Sequence, residues 1–98
     1  MQTSKTRSSF LRRLYLAWLI DSGQATSIPA LMAVTGMPRR TAQDTLAALA
    51  ELDIDCRFAQ ADGARNNSGD YRIHDWGPIN PRWVAEHLGS IKATLGYP

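Results

Sequence analysis

The chain has little of what several kinds of protein require. Its one cysteine, Cys56, excludes an internal disulfide framework and any cysteine-rich zinc site. The lack of disulfides suits a reducing, cytoplasmic compartment. Its two histidines, His74 and His87, have no ligand spacing between them, so no metal site is expected. There is no glycine-rich phosphate loop, no carboxylate pair in a catalytic setting and no nucleophile beside a base. Those gaps argue against an enzyme and give no cofactor a cradle. Long apolar runs are missing as well. The run Leu14-Tyr15-Leu16-Ala17-Trp18-Leu19-Ile20 is closed by Asp21, far short of the roughly 20 apolar residues that a bilayer needs. Basic residues precede it, but no small-residue cleavage site follows, so a buried helix is expected instead of a signal peptide or a membrane anchor.

What is present fits one globular domain over residues 1–98, with 44% hydrophobic and 20% charged residues. The net charge of +2 is spread unevenly. Lys5, Arg7, Arg12 and Arg13 precede Asp21 with no acidic residue among them, giving +4; the remainder, with seven basic and nine acidic residues, carries −2. A basic N-terminal end suits an anionic partner such as a phosphate backbone, or simply a solvated helix start.

Periodicity then divides the chain. Ser8 or Ser9 can cap a helix over residues 8–22 that Gly23 ends, with Phe10, Leu14, Ala17 and Trp18 on one face. Ser27 caps a second helix, 28–35, with Pro29 in its first turn and Ile28, Leu31 and Met32 facing inward. Gly36 marks a sharp turn, and Pro38 suits the start of a third helix over 38–52. In that helix Ala42, Thr45, Leu46 and Leu49 gather on the core side, while Arg40, Asp44, Ala47 and Glu51 lie opposite. Two helices about a tight turn make a helix-turn-helix, whose second helix can enter the major groove of DNA.

From Ile54 the period changes to two: Ile54, Cys56 and Phe58 alternate with Asp55, Arg57 and Ala59. The turn-rich stretch DGARNNSG and a second strand from Tyr71 complete a hairpin over 54–76. Asn80-Pro81 opens a last helix, 80–95, whose stripe of Val84, Leu88, Ile91 and Leu95, flanked by Trp83, can pack on the first helix or on a second copy in a homodimer. Gly89 within it either permits close approach or marks a kink. The fold expected is mostly α with a small β-hairpin: a winged helix-turn-helix with an additional C-terminal helix.

The stretch GMPRRTAQDTLAALAELDI resembles the G-L-S-R-x-T-V-x-x-x-L-x-x-L-x-x-x-G-I register of bacterial winged helix-turn-helix regulators. Gly36, Arg39, Thr41, Leu46, Leu49 and Ile54 match it; Ala42 replaces the usual valine and Asp53 the usual glycine. YRIHDWGPINPRWVAEHL is similar to a small bacterial winged-helix family of transcriptional regulators, and the likeness runs from about Phe10 to Tyr97. It implies binding of double-stranded DNA through the third helix and the wing, with no particular target.

Arg39 and Arg40 can reach phosphates or a guanine edge, since a guanidinium fork matches O6 and N7. Thr41 flanks them, and Gln43 has the donor and acceptor to read adenine. Asp44 either accepts from cytosine or orients Arg40 four residues earlier. Arg65, Asn66 and Asn67 at the wing tip suit a minor groove, and Arg12 and Arg13 suit phosphate. Trp18, Trp76 and Trp83 read as core or interface anchors, and Cys56 as a small core hydrophobe. A competing expectation is a winged helix given over to protein contact, because Asp44 and Glu51 on the open face of helix 3 would repel phosphate.

Overall fold

The computed structural model describes residues 3–60 and 69–98. Five helices and one hairpin follow in order: α1 (Lys5–Asp21), α2 (Ile28–Thr35), α3 (Arg39–Ala48), β1 (Asp55–Gln60), β2 (Gly69–Asp75), α4 (Pro81–Glu86) and α5 (Leu88–Leu95). A 3₁₀ turn, Leu49–Leu52, continues α3 towards the hairpin.

Helix α1 is the spine. It starts one turn earlier than Ser8 or Ser9 would place it, because Ser4 Oγ accepts the Arg7 N–H at 3.1 Å and both later serines lie inside the helix. Leu11, Leu14, Tyr15, Leu16, Ala17, Leu19 and Ile20 are all buried, so α1 is covered on several sides. Against it pack Ile28 and Leu31 of α2, Ala42 of α3, Val84 of α4 and Ile91 of α5. A second cluster of Ala17, Leu49 and Ile54 seats the end of α3 and the entry to the hairpin.

Helix α2 spans the expected residues. Ser27 Oγ accepts the Ala30 N–H at 3.2 Å, and Gly36 ends the helix at φ 77°, where a side chain would be strained. The turn is held from within by Thr35, which is buried. Its hydroxyl donates to the Leu31 carbonyl at 2.7 Å and accepts the Met37 N–H at 3.2 Å. Met37 fills the core under the turn with 5% of its surface exposed. Pro38 sits just before α3 with φ −62° and ψ 155°, outside the helix where its fixed φ sets the entry.

The third helix is shorter than residues 38–52 suggest, since its last turn tightens to 3₁₀ and closes on Asp53 in the left-handed region at φ 61°. The hairpin is antiparallel, pairing Cys56 with Ile73, Phe58 with Tyr71 and Gln60 with Gly69, with an irregularity beside Asp55. It is tied to the helices by the Tyr71 N–H, which donates to the Thr26 carbonyl at 2.8 Å, and by Trp76 Nε1, which donates to Asp21 at 3.0 Å.

The last helix is broken, contrary to the single helix expected over 80–95. The backbone leaves helical geometry at His87 (φ −112°, ψ 14°). There the imidazole stacks on Trp83 at 4.0 Å, and its Nδ1 lies 2.7 Å from the Trp83 carbonyl. Gly89 is neither the break nor a close approach, for a Cβ added there would meet nothing within 4 Å. Past α5 the chain returns to α1, where Tyr97 stacks on Tyr15.

Candidate nucleic-acid interface

Three features converge at one end of the fold: the open face of α3, the base of the wing and the flank of α1. On α3, Arg39, Arg40, Gln43, Asp44 and Ala47 are exposed, and the stripe continues through Ala50 and Glu51. Thr41 is half-buried beside it. The inner face is sealed by Ala42, Thr45 and Leu49. The Thr45 hydroxyl is satisfied by donating to the Thr41 carbonyl at 2.7 Å. Two cations thus stand at the start of the helix, polar groups follow, and small side chains finish the stripe. Ala47 and Ala50 hold nothing away from the helix backbone, so a groove wall can approach closely. No side chain caps the first turn of α3, so its N–H dipoles face outward beside the arginines.

The acidic groups on this face are not free. Asp44 lies 3.8 Å from Arg40, the geometry of an orienting pair one turn apart. Glu51 lies 3.5 Å from Arg13. Arg13 therefore reaches from α1 to the 3₁₀ turn after α3, with only 26% of its side chain exposed. Arg12 shares a shallow cleft of about 240 Å³ with Thr41, Asp44 and Ala48, so it stands beside the α3 surface and not apart from it.

A second and larger groove, about 810 Å³, runs between the starts of α2 and α3 on one side and the hairpin on the other. Pro29, Arg39, Gln43, Phe58, Gln60 and Tyr71 line it. Phe58, expected on the core side of its strand with Ile54 and Cys56, is instead 44% exposed. Its ring meets the edge of Tyr71 at 5.0 Å. Burial along β1 does not alternate but fades outward, so the strand is half-covered at Asp55 and Cys56 and open from Arg57 through Phe58 to Gln60. Arg65, Asn66 and Asn67 lie outside the described residues.

The outer face of the hairpin has its own charge pattern. Arg57 donates to both Asp55 carboxylate oxygens, at 3.0 and 2.9 Å, and stands directly across from Arg72. These hydrogen bonds, with the guanidinium charge, hold the Asp55 carboxyl below its usual value. Half-buried Cys56 moves the other way: burial first, then the Asp55 charge, pushes its thiol up to about 11.

The stripe expected to pair two copies is mostly used within one. Val84 and Ile91 are 0% and 2% exposed, in the core against α1, while Leu88 and Leu95 are partly covered by the same cluster. Only Trp83 of that set stays open, at 39%. Among the described residues no group of three or more His, Cys, Asp or Glu side chains is placed to hold a metal, and no helix is long and apolar enough to cross a membrane.

A comparison with curated proteins gives no match. Among solved structures, a DUF2131 family protein from Shewanella amazonensis superimposes with a TM-score of 0.90 at 45% identity, over 99% of this chain and 92% of that one. The winged helix-turn helix family matches residues 5–95, the first residue of α1 to the last of α5. With its turn, its α3 register and its hairpin in that order, the chain belongs to the winged helix-turn helix family.

Proposed function

We propose that the protein is a double-stranded-DNA-binding transcriptional regulator that lays α3 in the major groove, with the wing and Arg12 against the backbone or the minor groove. The observation that carries this reading is the open face of α3. Arg39 and Arg40 lead, Gln43 follows, and Ala47 and Ala50 clear the way for a groove wall. Asp44 and Glu51, the two carboxylates on this face, each lie within 4 Å of an arginine, Arg40 and Arg13, so neither stands alone against phosphate. That weakens the case for a module devoted to protein contact. The regulator reading includes pairing of two copies, which would set two α3 helices about one DNA turn apart on a two-fold site. Trp83 is the large apolar side chain that α4 leaves open for such pairing.

The test is a fluorescence-anisotropy titration with duplex DNA across a series of salt concentrations. Affinity should fall steeply with salt, and Arg39→Ala with Arg40→Ala should reduce the log–log salt slope by about 2, roughly one for each phosphate left without its arginine. An unchanged affinity and slope in the double variant would overturn the reading. A protein partner retained from nuclease-treated lysate, with no salt-sensitive DNA binding, would favour the alternative.

A further inference from the structure

We infer that the groove between α3 and the wing is a clamp for one sugar–phosphate strand, in which Phe58 packs on deoxyribose and so selects DNA over RNA. This rests on the DNA-binding reading above and deepens it. In a duplex, one backbone strand separates the major groove from the adjacent minor groove. If α3 lies in the first and the hairpin reaches towards the second, that strand must pass between them, through the 810 Å³ groove. The groove walls match such a strand in both of its repeating parts. Arg39 supplies a cation and Gln43 and Gln60 supply amides, and among the described residues that line the groove none is acidic. Pro29 stands with Arg39 and Gln43 on the helix side, and on the hairpin side Phe58 and Tyr71 offer aromatic surface next to Gln60.

Phe58 is the key observation. It and Trp83 are the two large hydrophobic side chains left exposed among the described residues, and Phe58 shares its groove with the Arg39 cation. A phenyl ring held open there suits an occupant with an apolar face and an anionic edge. A deoxynucleotide strand alternates the two. Ribose carries a 2′-hydroxyl that is both donor and acceptor. Pressed against the face of the phenyl ring it would lose its water and gain no hydrogen-bond partner from that ring. Phe58 is thus a specificity-determining residue that the alternation of β1 assigned to the core.

The experiment uses the whole chain and a DNA duplex enriched from a random-sequence pool. The same duplex is then made with single ribonucleotides moved one position at a time along each strand. Anisotropy should show about a tenfold loss of affinity at the position seated on Phe58 and little loss elsewhere. Phe58→Ala should bind the all-DNA duplex about tenfold more weakly and abolish that positional penalty. Phe58→Gln, which offers the hydroxyl a partner, should abolish it too and provides an independent variant if the alanine change disturbs the hairpin. Uniform tolerance of ribonucleotides by the unmodified chain, or a penalty that persists unchanged in both variants, overturns the clamp. Salt-sensitive binding that needs Arg39 and Arg40 but shows no such penalty overturns the clamp alone; no binding of any duplex overturns the DNA reading with it.

Discussion

Thr35 and Thr45 allow a controlled measurement of what holds the helix-turn-helix turn. Both are buried, at 6% and 7% exposure, and both hydroxyls donate to the carbonyl four residues back at 2.7 Å. They differ in one respect: Thr35 Oγ1 also accepts the Met37 N–H, at 3.2 Å, beneath the turn. Substituting valine at either site keeps the shape and removes the hydroxyl. At Thr45 the carbonyl keeps its helical N–H donor and the added methyl is buried, so the change should cost about 0–1 kcal/mol. At Thr35 the Met37 N–H is left without an acceptor in a buried site, which adds about 1–3 kcal/mol. For a domain of this size the difference between the variants corresponds to a Tm gap on the order of 5–20 °C. Urea unfolding of Thr35→Val and Thr45→Val side by side, with equal m-values, reads the difference directly. Equal midpoints would refute the claim that the Thr35 hydroxyl holds the turn.

Two further predictions concern the hairpin entry. Asp53 ends the 3₁₀ turn at φ 61°, a conformation that costs a non-glycine residue about 1 kcal/mol or more, partly regained by glycine's freer unfolded chain. Asp53→Gly should therefore raise the urea midpoint, by about 0.5 kcal/mol of stability, and a fall would count against the strain. Cys56, with its thiol pushed up to about 11, is almost wholly protonated at neutral pH. Its alkylation at pH 7 should be slower than that of an exposed thiol by on the order of a hundredfold, and should keep rising past pH 9. A rate that levels off by pH 9 would contradict the burial assigned to it.

Local signals account for what was legible in the sequence. The bounds of α2 follow from Ser27 and Gly36, because a serine cap and a left-handed glycine act within a few residues of themselves. The burial of Ala42, Thr45 and Leu49 follows from helical spacing alone. What was missed depends on contacts that spacing does not carry. Several serines near the N-terminus could cap α1, and the choice of Ser4 is made by which hydroxyl meets an N–H three residues on. The break falls at His87, two residues before the glycine that the sequence offered as a kink, where the imidazole stacks on Trp83 and its Nδ1 meets the Trp83 carbonyl. The stripe through Val84 and Ile91 showed that these residues would be buried but not against what, and the structure spends them on α1. At the proposed site, the exposure of Arg39, Arg40 and Gln43 follows from the turn that precedes them and the helical spacing after it. The Arg13–Glu51 pair joins residues far apart in sequence. Phe58 shares the period of Ile54 and Cys56, yet no periodicity tells how far a strand extends past its core.

The most direct measurement is an amide NMR titration of the whole chain with a duplex enriched from a random-sequence pool. The largest shifts should fall on residues 39–50 and on 58–60, the open face of α3 and the groove wall opposite it. Shifts that gather around Trp83 while the amides of α3 stay unmoved would contradict the claim that this surface receives DNA.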